Sequence, residues 1–89
     1  MLPAFEFDPV KSAANLAKHG IDFEQAQGLW TDPQLIEAHA RSAFEPRHAV
    51  IGRLDDAVWT AIFTYREGKV RLISVRRARS GEVRRYEGQ

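Results

Sequence analysis

At 89 residues, with 44% hydrophobic and 28% charged side chains, the chain is expected to form one globular domain over 1–89 and not a disordered segment. It has no cysteine, which excludes a disulfide framework and a thiolate metal site and fits a reducing cytoplasm, and it has no apolar run near the ~20 residues of a membrane span. The net charge of +1 conceals an asymmetry: residues 66–89 hold eight basic and three acidic side chains (+5), and residues 1–65 hold five basic and nine acidic (−4).

The N-terminal MLPAFEFD lacks the basic and apolar regions of a secretory signal. Phe5-Glu6-Phe7 alternates apolar and polar and reads as a short edge strand. Asp8-Pro9 reads as an N-cap followed by proline at the first helical position. Val10, Ala13, Ala14 and Ala17 recur at helical spacing, which predicts a core-facing stripe. Lys11, Asn15 and Lys18 fall on another face, and Gly20 is a natural left-handed stop. Lys18-His19 therefore sit at a helix C-terminal end, where carbonyl partial charge favours cations.

Asp22-Phe23-Glu24-Gln25 has the form of a capping box and opens a second helix whose apolar side is Phe23, Ala26 and Trp30. Thr31-Asp32-Pro33 ends it. Leu35–His39 reads as a strand, followed by a polar connection at 41–46. Three strands then follow at Arg47–Leu54, Ala57–Tyr65 and Lys69–Arg77, joined by the short turns Asp55-Asp56 and Arg66-Glu67-Gly68. Such turns make antiparallel neighbours. In the third, Val70 and Leu72 are expected on one face and Ile73 and Val75 on the other, which predicts a strand covered on both sides. Ser80 is placed to N-cap a last helix over 81–87. The fold class is α+β, an antiparallel sheet of about four strands with two N-terminal helices and one C-terminal helix.

The basic C-terminal stretch suits a phosphate-bearing partner, because guanidinium is a fixed fork of donors for oxyanions. Arg71 and Arg76, five apart, point to opposite faces of a regular strand unless it bulges or twists. Tyr65 and Tyr86 stack on a base or complete the core, and for Tyr65 the core is favoured because it shares the side of Trp59 and Phe63. His39 and His48 have no metal-ligand spacing with His19, so neither a metal site nor a cofactor is expected. No phosphate-binding glycine loop or nucleophile elbow is present. Metal-free chemistry on RNA remains open, because RNA supplies its own nucleophile in the 2′-hydroxyl.

One resemblance gathers these features. F-E-F-D-P-x-K-x-x-x-N-x-x-K-H-G-I-x-F over 5–23, Ala26, E-x-R over 45–47, I-G at 51–52 and R-x-I-S-x-R-x-A-x-x-x-E-x-x-x-Y over 71–86 closely resemble the BrnT family of toxins of type II toxin–antitoxin systems. Phe7 and Val75 depart mildly from the family pattern, where tryptophan and alanine are frequent. The resemblance implies a RelE-like fold and a ribonuclease that cleaves RNA without a metal to arrest growth. It also implies a BrnA-like DNA-binding antitoxin as partner in a hetero-oligomer, with operator DNA engaged through that antitoxin. Carried over by position, it marks Lys18, His19, Glu45, Arg47, Arg71, Ser74, Arg76, Glu82 and Tyr86; by residue chemistry His19 is then expected as general acid or base, with Lys18 and Arg76 neutralising the scissile phosphate. Arg47, Arg71, Arg77 and Tyr86 are then expected at the RNA, with Glu45 and Glu82 in support; Glu82 and Tyr86 also suit docking of the last helix. The alternative is a non-catalytic RNA-binding or antitoxin-docking module that uses the same arginines.

Overall fold

A computed structural model describes residues 2–40 and 45–89, so most of the connection expected at 41–46 lies outside the described residues. Strand β1 (Phe5–Glu6) leads into helix α1 (Pro9–His19), the short helix α2 (Phe23–Ala26) and a 3₁₀ turn (Gln27–Thr31). Strands β2 (Ile36–Ala40), β3 (Arg47–Leu54), β4 (Ala57–Arg66) and β5 (Lys69–Arg77) follow, and helix α3 (Ser80–Glu87) ends the chain. The described sheet has the order β1-β5-β4-β3-β2.

This corrects the expected antiparallel sheet of about four strands. The described strands number five and the sheet is mixed, because β1 lies parallel to β5, pairing Phe5 with Val70 and Glu6 with Arg71. The direction follows from what comes next in the chain. After Glu6 the backbone continues into α1, whose Asn15 meets Val75 of β5, so the N-terminal segment must advance along β5 in the same sense. The N-terminal helical region is also broken up, since α2 is only four residues long and tightens at once into the 3₁₀ turn.

The local signals at the ends of α1 and α2 hold, but Ser80 does not cap the last helix: α3 begins at Ser80 and Arg79 is its N-cap, because the Glu82 carboxylate accepts from the Arg79 amide. Asp8 accepts from the Val10 amide at 2.8 Å and Pro9 opens α1. Gly20 adopts φ 81°, a conformation cheap only for glycine, and its N–H closes the helix on Leu16. The Asp22–Gln25 capping box is reciprocal.

The buried face of α1 is the reverse of the expected stripe. Ser12 and Asn15 are buried, whereas Val10 is 77% exposed and Ala13, Ala14 and Ala17 also face out. Each buried polar side chain has partners that offset its desolvation. The Ser12 hydroxyl accepts from the Phe23 amide at 2.9 Å. The Asn15 amide donates to the carbonyls of Ile21 and Val75 at 2.8 and 2.9 Å, and its oxygen accepts from the Val75 amide at 3.1 Å. Asn15 thus takes the place of a neighbouring strand where β1 has ended.

The pairing of β4 with β5 slips between Phe63↔Leu72 and Ile62↔Ser74, which leaves Ile73 as the extra residue of a bulge. The slip reverses the alternation of β5. Val75 joins Val70 and Leu72 on the face that packs with Phe23, Ala26 and Leu29, so the reading of Ile73 and Val75 as a second apolar face is replaced. Fully burying a side chain such as Phe23 or Leu29 contributes about 1.5–3 kcal/mol. Arg71, Ser74 and Arg76 now share the opposite face with Thr64, Ile62 and Thr60, while Arg77 turns to the side of Trp59. Arg77 therefore does not share a face with Arg71, as a regular strand would require. Helix α3 packs over the Arg76 face, where Tyr86 is buried.

Candidate functional site

The last turn of α1 and the bulged edge of β5 form one cleft. Lys11, Lys18 and His19 on the helix meet Ile73 and Ser74 on the strand around a volume of about 220 Å³, with Asn15 at its base. The three hydrogen bonds of Asn15 pin helix to strand at this point. The stripe of Lys11, Asn15 and Lys18 visible in the sequence is the helical wall of the cleft. Gly20 ends the helix immediately after His19, which lines the cleft from the last turn. Among the described residues Lys18 forms no ion pair, which leaves its ammonium available to an anion. An imidazole, two ammonium groups and a hydroxyl are the residue types that move protons and balance charge at a phosphodiester.

Arg76 is placed elsewhere. Its guanidinium grips Glu82 through two parallel bonds, Nη1–Oε1 at 2.7 Å and Nη2–Oε2 at 3.1 Å, with both side chains mostly covered. The hydrogen bonds from Arg76, with that from the Arg79 amide, outweigh burial and hold the Glu82 carboxyl down at about 2. Arg71 lies 3.6 Å from Glu6, and Arg47 lies 3.6 Å from Glu45. Of the eight basic side chains at 66–89, Arg71 and Arg76 are thus paired with carboxylates.

Arg77 lies over the Trp59 ring at 5.2 Å. Tyr86 is buried, and its hydroxyl donates to Asp32 Oδ2 at 2.6 Å. That bond, with burial and the nearby Asp32 charge, raises the Tyr86 pKa. Burial alone would raise the Asp32 pKa, but bonds from the Arg53 amide, the Tyr86 hydroxyl and the Gln34 amide bring it down on balance. Tyr65 shares the core face, as the register requires, yet lies at the sheet's end and is 58% exposed, contrary to the expected core position.

The structure thus brings His19 and Lys18 together and gives Arg76, Glu82 and Tyr86 places in the docking of α3. Lys11 belongs to the cleft without having been expected to act there, and Ser74, which the family pattern marks, lines it without having been given a role. The signal for Lys11 was present in its helical spacing with Asn15 and Lys18. Among the described residues no group of three or more His, Asp or Glu side chains is placed to hold a metal ion, and no helix is long and apolar enough to cross a membrane.

No curated protein gives a significant match to the chain. The family model for the ribonuclease toxin BrnT of type II toxin–antitoxin systems matches residues 7–82, a span that includes α1, the whole β2–β5 region and the first turn of α3. The chain belongs to the BrnT family of ribonuclease toxins of type II toxin–antitoxin systems.

Proposed function

We propose that the chain is a metal-independent endoribonuclease that works in the cleft between α1 and the β5 bulge. The observation that carries this reading is the convergence of Lys11, Lys18, His19 and Ser74 on one small volume. In the proposed reaction the 2′-oxygen of RNA bonds to the adjacent phosphorus as the bond to the 5′-oxygen breaks. His19 either takes the proton from the 2′-hydroxyl or supplies one to the leaving 5′-oxygen. Lys18 and Lys11 balance the charge that builds on the non-bridging oxygens. Ser74 donates to the same oxygens. The products are a 2′,3′-cyclic phosphate and a 5′-hydroxyl.

Arg76 enters this reading as a positioning residue, because releasing it to RNA would strand the Glu82 carboxylate. Arg47, Arg71 and Arg77 lie on the flanks, where RNA or an antitoxin meets them. The ion pairs of Arg71 and Arg76 engage two of the eight C-terminal cations on which the alternative, a binding module that uses the arginine patch alone, depends. We propose a BrnA-like DNA-binding antitoxin as the partner, with operator DNA reached through it, and the cytoplasm as the compartment. The reading is tested by the chemistry of the cut ends. RNA treated in EDTA should acquire 2′,3′-cyclic phosphate termini, and Lys18→Ala should suppress them by a factor of about 10² or more. Cut ends bearing 3′-hydroxyl and 5′-phosphate would contradict the mechanism.

A further inference from the structure

A second cavity lies apart from the cleft. It measures about 530 Å³ and lies at the other side of the α1 terminus, between Gly20-Ile21 and the β3–β4 turn. Ile21, Leu54 and Trp59 supply apolar walls, and Asp55, Asp56 and Arg77 line the same space. Gly20 lines this cavity and its neighbour His19 lines the cleft, so the two share one boundary. Along β5 the step from Ser74 in the cleft to Arg77 in the cavity is roughly 10 Å, at about 3.3 Å per residue. Ser74 and Arg77 leave opposite faces of β5, so a strand of RNA that joins the two sites has to pass the α1 terminus at His19 and Gly20.

The lining has the chemistry of a base-recognition site. The Arg77 guanidinium lies over the Trp59 ring and both line the cavity, which brings together two planar groups of the kind on which bases stack. Asp55 and Asp56 bring carboxylates, which only accept hydrogen bonds when ionised. They repel a phosphate and favour a ligand edge rich in N–H donors. Guanine presents two such donors side by side, N1–H and N2–H, to which a carboxylate pairs in parallel. Adenine and cytosine present an amino group without an adjacent ring N–H, and uracil presents one ring N–H. The two acids lie in a tight turn in which Asp55 adopts φ 54°, so their placement is fixed by backbone geometry.

We infer that this cavity is a nucleobase subsite that selects guanine beside the scissile phosphate. The inference rests on the ribonuclease reading above for its biological use, but its binding test does not. The probe is guanosine 5′-monophosphate, with uridine 5′-monophosphate as control for phosphate binding alone. The readout is the indole resonance of Trp59 and the guanidinium resonance of Arg77. The guanine nucleotide should shift both, and the uridine nucleotide should leave them largely in place. The double change Asp55→Asn and Asp56→Asn keeps a residue type that tolerates the turn and should weaken the guanine response about tenfold. Equal responses to the two nucleotides, no response, or a guanine response untouched by the double change would overturn the subsite.

Mapping of cleavage positions separates the two claims. Wild type should cut beside guanines, and the double variant should lose that bias. RNA cleaved without bias, with no Trp59 response, would sink the subsite and leave the ribonuclease standing. A selective Trp59 response with RNA left intact would do the opposite.

Discussion

Arg76 and Glu82 meet fork to fork, at 2.7 and 3.1 Å, and this pair fastens α3 to the sheet. Glu82 also accepts from the Arg79 amide at 2.8 Å, so one carboxylate both caps the helix and anchors it. The Glu82 carboxyl is held down at about 2 from its ordinary 4.5. A depressed carboxyl stabilises the folded state above its unfolded pKa, and that contribution disappears as pH falls through the folded value. The pair should therefore contribute its full stability above about pH 5 and lose it between about 4.5 and 2. Allowing for solvent screening, the amount is on the order of 1–2 kcal/mol.

Urea unfolding of wild type and Glu82→Gln across that window checks this. The wild-type advantage should shrink steadily toward pH 2. An advantage independent of pH would mean that the carboxylate charge has no part in docking α3.

Tyr86→Phe removes the bond to Asp32 and nothing else from the buried ring. It should cost about 1–2 kcal/mol of stability. Cleavage of RNA by the folded variant should stay within a few-fold of wild type. A folded Tyr86→Phe protein that has lost cleavage would move Tyr86 from α3 docking to the RNA.

Asn15→Ala should be among the more damaging single changes in α1. It leaves the Val75 amide and two carbonyls unpaired in a buried place, for a loss of about 2–4 kcal/mol. Cleavage should fall as well, since the same bonds hold the two walls of the cleft together. Denaturant unfolding with a single-turnover assay measures both, and a loss below about 0.5 kcal/mol would contradict the accounting.

Val10→Ser and Leu16→Ser, by contrast, should change stability by no more than about 0.5 kcal/mol, because Val10 is 77% and Leu16 44% exposed. A thermal melt distinguishes this outcome from the several-kcal/mol loss a core position would give.

The α1 pair of predictions marks where the sequence was legible and where it was not. Helix ends depend on neighbours in the chain, and Asp8, Gly20 and the Asp22–Gln25 box are found where local chemistry requires them. The strands from Arg47 to Arg77 were legible for the same reason, through β-forming runs between short turns. The inward face of α1 was not. Apolar periodicity assumes that helices bury carbon, yet this helix buries Ser12 and Asn15 because Phe23 and Val75 supply partners. The partner of Asn15 lies 60 residues away, beyond any local pattern. The bulge at Ile73 left a trace, since the apolar alternation changes phase between Leu72 and Ile73, but no glycine marked it. Its effect on the site is large, because it brings Arg71 and Arg76 to one face and sends Arg77 to Trp59. Lys18-His19 was recognised as chemically apt from its place at a helix end. Its neighbours across the cleft came only with the tertiary fold.

The central claim is that His19, in the cleft between α1 and β5, acts directly on RNA. Its most direct measurement is the integrity of total RNA incubated in EDTA with wild-type protein, beside His19→Ala of equal stability. Wild type should cleave, and the variant should be slower by a factor of about 10²–10⁴. Equal cleavage by both proteins would remove His19 from the chemistry, and intact RNA with wild type would contradict a free-standing, metal-independent ribonuclease.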